Sequence, residues 1–310
     1  MKQPLESGYP SRAMGKGCAF GTFGELMQGM EASGRNFLVT FPIDRFAHAT
    51  FCSDPDATGV DVFPPHKKKA RQLAANLLAH WQLPGGGRLE LVSELPVGKG
   101  LASSSADLVA TARALADCFG LALSNEVLQA FIREIEPTDG VMYDGIVSFY
   151  HREVELREEL GTLPPLTVVA LDEGGEVDTV EFNKLPKPFT DEERSEYADL
   201  LDRLSAAVRD RDISTIGDIA TRSAVLNQKL RPKRTLDEMI ALAEEIGALG
   251  VIVAHSGTTL GVLLSPEDCG YEQQVVKAQE RLLTLGGDVS LYHGWQPEPQ
   301  NDRSTVTTMR

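Results

Sequence analysis

Clustered positive charge is what this 310-residue chain has least of: 30 Lys and Arg against 45 Asp and Glu leave a formal charge of −15. Phosphate backbones are bound by Lys and Arg massed on one face, so an extended nucleic-acid surface is disfavoured. The one dense basic run, Lys67-Lys68-Lys69 followed by Arg71, opens a helical pattern and is expected to be a solvated helix face. Cysteine is scarce as well. Cys18, Cys52, Cys118 and Cys269 lie far apart without a CxxC pair, which gives zinc no support and fits a reducing compartment. Cys118 falls on a helical pattern, where a buried thiol is expected. His48, His66, His80, His151 and His293 form no H-E-x-x-H spacing. No run of about 18 apolar residues occurs, and the polar start (Lys2, Gln3, Glu6) lacks an apolar signal core. The expectation is a cytoplasmic protein without membrane or nucleic-acid partners.

What is present reads as an ordinary globular chain, 42% hydrophobic and 24% charged, long enough for one large or two ordinary domains. Residues 1–15 carry Pro4, Gly8 and Pro10 with little periodicity and are expected to form a flexible tail. Phe37–Phe41 and Phe46–Phe51 read as two strands, with Pro42 and Asp44 in a turn between them. Ala70–Trp81 has helical spacing through Leu73, Leu77 and Leu78, then stops at Leu83-Pro84-Gly85-Gly86-Gly87. Leu89, Leu91 and Val92 suggest a strand. Leu108, Ala112, Leu115 and Phe119 mark one face of a helix that closes at Gly120. Ser124 opens another helix, ending before Pro137, and Ile146–Tyr150 is a strand. Arg152–Glu159 is a charged patch followed by a break at Gly161–Pro165, which places a domain boundary between residues 158 and 159. Beyond it, Leu166–Leu171 and Val251–Ala254 read as buried strands, with Gly261–Leu264 the hairpin partner of the latter. Asp191–Arg209, Leu236–Gly247 and Gln273–Leu285 read as helices. The sum is an α+β chain of two domains, 16–158 and 159–310, without internal repeats.

The segment richest in chemistry runs Leu95-Pro96-Val97-Gly98-Lys99-Gly100-Leu101-Ala102-Ser103-Ser104-Ser105-Ala106-Asp107. It follows a strand and opens a helix. Gly98 and Gly100 let the backbone approach an anion, the serines set hydroxyls beside unpaired helix-start amides, and the helix terminus adds partial positive charge. Lys99 is a candidate mobile charge. Polyphosphate is the natural guest. A simple helix cap accounts for one serine but not three. A Walker A loop is excluded because Gly98-Lys99 is followed by Gly100, and a dinucleotide fingerprint lacks its third glycine.

Pro96–Ala106 resembles the central ATP-binding motif of the GHMP kinases. Two further segments resemble that family's outer motifs, in the expected order: Gly24-Glu25-Leu26-Met27-Gln28-Gly29, and Ala254-His255-Ser256-Gly257-Thr258-Thr259-Leu260-Gly261. With Glu136-Pro137-Thr138-Asp139, the wording is most similar to the L-threonine kinases of cobalamin biosynthesis. The resemblance implies a two-domain GHMP kinase fold, its N-terminal part like ribosomal protein S5 domain 2 and its C-terminal part ferredoxin-like. It implies ATP and Mg2+ as cofactors and a small hydroxy amino acid as substrate, L-threonine first and homoserine as an alternative. A homodimer is one option for the assembly.

Carried over to this sequence, the resemblance implies that Pro96, Gly98, Lys99, Gly100, Leu101, Ala102, Ser103, Ser104 and Ser105 bind the nucleotide. Ser104 is the expected metal ligand, completed by Glu136 with Glu134 in reserve. Asp139 matches the position of a catalytic aspartate that accepts the substrate hydroxyl proton; an Asx-turn role beside Gly140 competes, and Asp144 is a lesser alternative. The lysine that many family members carry six residues before the glutamate is replaced here by Ala19. Glu25, Asp44, Thr138, Ser256, Gly257 and Thr258 are candidate substrate contacts, with a structural role open for Glu25 and a turn for Asp44. His255 reads as a packed histidine rather than a base. Two rivals stay open: a metabolite sensor without catalysis, and a phosphorylation-dependent decarboxylase.

Overall fold

Strands supply the frame of the molecule. The computed structural model describes residues 12–83, 85–175 and 188–297. Its strands are β1 (Met14–Met30), β2 (Asn36–Asp54), β3 (Val60–Phe63), β4 (Gly86–Ser93), β5 (Ile146–Tyr150), β6 (Glu155–Gly161), β7 (Thr167–Asp172), β8 (Gly250–Val253), β9 (Thr259–Leu264) and β10 (Asp288–His293). They form one sheet in the order β10-β7-β9-β8-β1-β2-β4-β3, with β5 branching from β2 and carrying β6. Among the described residues only β3 and β4 pair in parallel. The helices are α1 (Lys68–His80), α2 (Ser103–Phe119), α3 (Asn125–Arg133), α4 (Asp191–Asp210), α5 (Ile213–Asn227), α6 (Leu236–Ile246) and α7 (Tyr271–Leu283).

The longest departure from the sequence expectation is β1. The expected tail over 1–15 lies mostly outside the described residues, but Met14 and Gly15 already belong to this strand. Its glycines make room. A Cβ at Gly15 would lie 2.1 Å from the Cys118 amide nitrogen, and one at Gly17 would lie 2.3 Å from the Ala110 carbonyl oxygen. The strand therefore lets α2 rest directly on its backbone.

Pro42 and Asp44 do not make a turn, because β2 runs unbroken through them. The register changes from Phe20↔Phe46 to Gly21↔Ile43, leaving Asp44 and Arg45 as a bulge. Pro42 itself stays in register opposite Thr22, and the bulge beside it keeps the sheet continuous. The charged patch at Arg152–Glu159 also proves structured. Most of it forms β6 against β5, so the expected division after residue 158 falls within a strand.

A second pair of register shifts has a functional consequence. Between Thr22 and Met27, β1 bulges around Gly24, and Glu25 becomes the single residue pairing β1 with β8 through Val253. The N-terminal and C-terminal strands thus meet at this glutamate, and again where Ile43 bridges Gly294. The major core gathers side chains of both halves, from Phe23 and Phe37 to Tyr197 and Ile216, while a smaller one packs α6 and α7 on β7–β9. Thirteen of the seventeen residues of α2 are buried, which holds its N-terminus immobile. Cys118 is among them, as expected. Among the described residues no helix is long and apolar enough to cross a membrane.

Candidate active site

The turn before α2 is shaped by backbone that only a few residues adopt readily. Gly98, Gly100 and Ala102 take φ of 75°, 84° and 58°; glycine does so freely, whereas alanine there stores about 1 kcal/mol of strain. Strand β1 holds the turn from behind. The Gly24 amide donates to the Gly100 carbonyl at 3.2 Å and the Thr22 amide to that of Leu101 at 3.3 Å. With those carbonyls engaged, the first amides of α2, from Ser103 to Ser105, have no backbone acceptor among the described residues. They border a cavity of ≈470 Å3, of a size that suits a small-molecule ligand.

The start of α1 borders the same cavity, through His66, Lys67, Lys68 and Lys69. The expectation of a solvated helix face is therefore corrected. Lys67 pairs with Asp107 and Lys69 with Glu136. Both acids are buried, at 4% and 6% exposure, and a buried carboxylate requires a counter-charge. The lysine triplet was visible in the sequence; its direction was not, because that depends on residues forty and sixty-seven positions away. Burial raises the Asp107 carboxyl above its usual range, with Lys67 opposing.

On the cavity wall the Ser104 hydroxyl donates to Glu136. A hydroxyl and a carboxylate side by side are hard oxygen donors of the kind Mg2+ takes, and the residues present fit that ion. No group of three His, Cys, Asp or Glu suited to a metal occurs among the described residues. Ligand and water oxygens would complete the shell. Glu134, the reserve candidate, is exposed and lies outside the cavity lining.

Next to this pair, the Thr138 hydroxyl donates to Ser105 Oγ at 2.7 Å, the Asp139 amide donates to the same oxygen at 3.2 Å, and Ser105 reaches Asp139 Oδ2 at 3.4 Å. Asp139 faces the cavity. Burial, reinforced by the Glu136 charge, pushes its carboxyl up to about 6 against the pull of Ser105. With that value the carboxyl is mostly ionised at neutral pH and able to accept a proton. Asp144 is exposed and outside the lining.

The 254–258 turn closes the remaining side. Its Gly257 packs so tightly that an added Cβ would lie 1.9 Å from the Lys99 carbonyl oxygen. Thr259 Oγ1 donates to that same oxygen at 2.9 Å. Ser256 and His255 border the cavity, whereas Thr258 points away and donates to Asp172. Lys99 is also turned away, paired with Asp172 at 2.6 Å and donating to the Gly175 carbonyl at 2.8 Å. Glu25 lines the cavity and accepts the His255 amide at 2.6 Å. Beneath the turn lies a residue that sequence reasoning missed. Lys233, buried at 4% exposure, donates to the Gly257 carbonyl, and burial lowers its ammonium to about 8. Asp44 is remote from these groups: in its bulge it binds Arg45 and accepts the His293 amide at 3.4 Å.

Two family models match the chain: the GHMP kinases N terminal domain over residues 68–151 and the GHMP kinases C terminal over residues 204–280. The chain belongs to the GHMP kinase family, and is a phosphotransferase with an alcohol group as acceptor. The L-threonine kinase of Citrobacter freundii is 30% identical over 249 residues, covering 78% of this chain and 83% of that protein. That of Salmonella typhimurium is 29% identical over 269 residues, covering 84% and 86%. In fold, the crystal structure of homoserine kinase from Cytophaga hutchinsonii matches with a TM-score of 0.68 at 17% identity, over 95% of this chain and 98% of that one. The family resemblance seen in the three motifs is borne out, as is the α+β fold in two GHMP domains.

Proposed function

We propose that this chain is an ATP- and Mg2+-dependent kinase that phosphorylates the side-chain hydroxyl of L-threonine, giving O-phospho-L-threonine. The observation that carries the reading is the convergence on one cavity of two helix starts, Lys67–Lys69, the Ser104–Glu136 pair and Asp139. The similarity to L-threonine kinases over most of both chains supports the choice of substrate. The free cysteines agree with a cytoplasmic enzyme.

In this mechanism the triphosphate lies across the amides of Ser103–Ser105, with the dipole of α2 behind it. Ser104 and Glu136 would hold Mg2+, which when bound would supply charge neutralisation on the phosphates. Lys69 balances Glu136 in the free protein and turns to phosphate oxygen when the nucleotide enters. Asp139 accepts the proton of the substrate hydroxyl and aligns that oxygen for in-line attack on the γ-phosphorus, while Thr138 and Ser105 hold its carboxylate in place. The leaving ADP keeps its charge among the lysines.

The test is incubation of the purified protein with ATP, Mg2+ and, separately, L-threonine, L-serine and L-homoserine. O-phospho-L-threonine should form with the highest kcat/KM of the three, and a chelator should abolish it. A clear preference for homoserine would reassign the substrate; no phosphorylated product from any of them would overturn the reading.

A further inference from the structure

Lysine is among the side chains least suited to burial, because its ammonium must leave water. Lys233, in the link between α5 and α6, is nonetheless only 4% exposed. Its backbone is clamped by Gln228, whose Oε1 accepts the Lys233 amide at 2.6 Å and whose Nε2 donates to the Lys233 carbonyl at 3.1 Å. Thr235, two residues on, is fastened to Glu173 through its amide at 2.8 Å and its hydroxyl at 2.9 Å. The ammonium is delivered to the underside of the 254–258 turn. Among the described residues its partner there is a neutral group, the Gly257 carbonyl.

That turn has two other holds, and both are anionic. Glu25 accepts the His255 amide at 2.6 Å, and Asp172 accepts the Thr258 hydroxyl. Lys233 lies within electrostatic reach of both, with Glu173 as a third acid and Arg231 as a like charge. Lys99 stands one contact further, on Asp172 at 2.6 Å. Ser256 and His255 border the cavity, whereas Lys233 does not, so the Gly257 oxygen is drawn toward a group outside it. The amides of Ser256, Gly257 and Thr258 have no backbone acceptor among the described residues. A turn in this state offers donors to an anion and withholds an oxygen that would repel it.

We propose that Lys233 is a positioning residue for phosphoryl transfer: its charged ammonium draws the Gly257 carbonyl away from the cavity and locks the 254–258 turn against Lys99, and turnover requires that charge. The inference rests on the kinase reading above. A neutral side chain of similar length would fill the same space without the cost of burying a charge, so the charge is there for the carbonyl. Burial, with Arg231 adding to it, brings the ammonium down to about 8, against the pull of Glu173, Glu25 and Asp172. The proton is mostly held at neutral pH and is lost above that value. A neutral amine holds the carbonyl about half as strongly as an ammonium does, and it leaves the three acids around it uncompensated.

The experiment is the pH profile of kcat for the full chain at saturating ATP, Mg2+ and L-threonine, where kcat reports groups of the loaded enzyme rather than the free amino acid. In the unaltered enzyme kcat should fall at least about threefold between about pH 7.5 and about pH 9.5. Lys233→Arg keeps a cation throughout that range and should lack the fall. Lys233→Met should lose about 10- to 100-fold in kcat at about pH 7.5, as expected for a displaced turn. Its Tm should move by no more than a few degrees, since the lost hydrogen bond is offset by removal of a buried charge. A flat profile in the unaltered enzyme, with transfer intact, would overturn the inference and leave the kinase reading standing. So would the same alkaline fall in Lys233→Arg, or a loss of activity in Lys233→Met matched by its loss of Tm, the mark of a structural role. Absence of transfer at every pH in the unaltered enzyme would overturn the kinase reading, and this inference with it.

Discussion

Asp139 carries a pH signature that falls close to neutrality. Its carboxyl rises from the usual 3.8 to about 6 in the folded chain. Between those values the folded chain keeps a proton that the unfolded chain has lost, so stability falls as pH rises through the window and the cost is complete above it. Asp139→Asn should therefore hold or raise Tm at pH 7.5 while lowering kcat about 10²–10⁴-fold with KM for ATP little changed. In the unaltered enzyme, kcat/KM for L-threonine should climb with pH through about 6, and the residual activity of the variant should lack that limb. A profile shared by both would remove Asp139 from the proton transfer. Ser104→Ala, by contrast, should weaken use of the Mg2+–nucleotide complex. Its apparent Mg2+ requirement should rise several-fold, measured by titrating the metal at fixed ATP, with threonine KM spared.

At the scale of elements, the site depends on how closely two turns meet. The 98–102 turn is anchored to β1 by the Thr22 and Gly24 amides, and the 254–258 turn by Glu25 and Lys233. Where they touch, Gly257 leaves no room for a methyl group. Gly257→Ala should push the turns apart, and a displacement on the order of 1 Å at a phosphoryl-transfer site costs about 10²-fold in kcat/KM. Kinetics beside a thermal melt would check this: the loss of activity should greatly exceed what unfolding at the assay temperature explains. The turns themselves were legible in the sequence because their signals are local, glycines at two of the three positive-φ positions of the first turn and serines at a helix start. Helix α2 was legible for the same reason. Strand β1 was not. Its Gly15 and Gly17 serve the close approach of a helix about a hundred residues away, and single-sequence reasoning reads glycine as an interruption.

Across the whole molecule, charge is distributed against the net. The chain carries −15, yet Lys67, Lys68 and Lys69 face the cavity. An overall negative protein would repel a nucleotide; the lysine-lined opening gives it a local attractive field. That attraction is screened over about 8–10 Å at physiological salt. KM for ATP should therefore rise several-fold between about 0.05 and 0.5 M NaCl, while KM for zwitterionic L-threonine moves far less. Equal responses of the two would show that the field plays no part in nucleotide capture.

By itself the sequence determined the order of the three glycine motifs, the family they belong to, the α+β class and the helix that follows the serines, since all of these are written in neighbouring residues. Tertiary structure alone decided which acid meets Ser104, where the lysine triplet points, and that Asp44 stays outside the cavity. Each of those outcomes joins residues far apart in the chain, as does the contact of Glu25 with His255 across 230 positions. A partner that distant leaves no trace in local spacing; only the register of the sheet, slipped by the bulges of β1 and β2, brings the Glu25 carboxylate to the His255 amide.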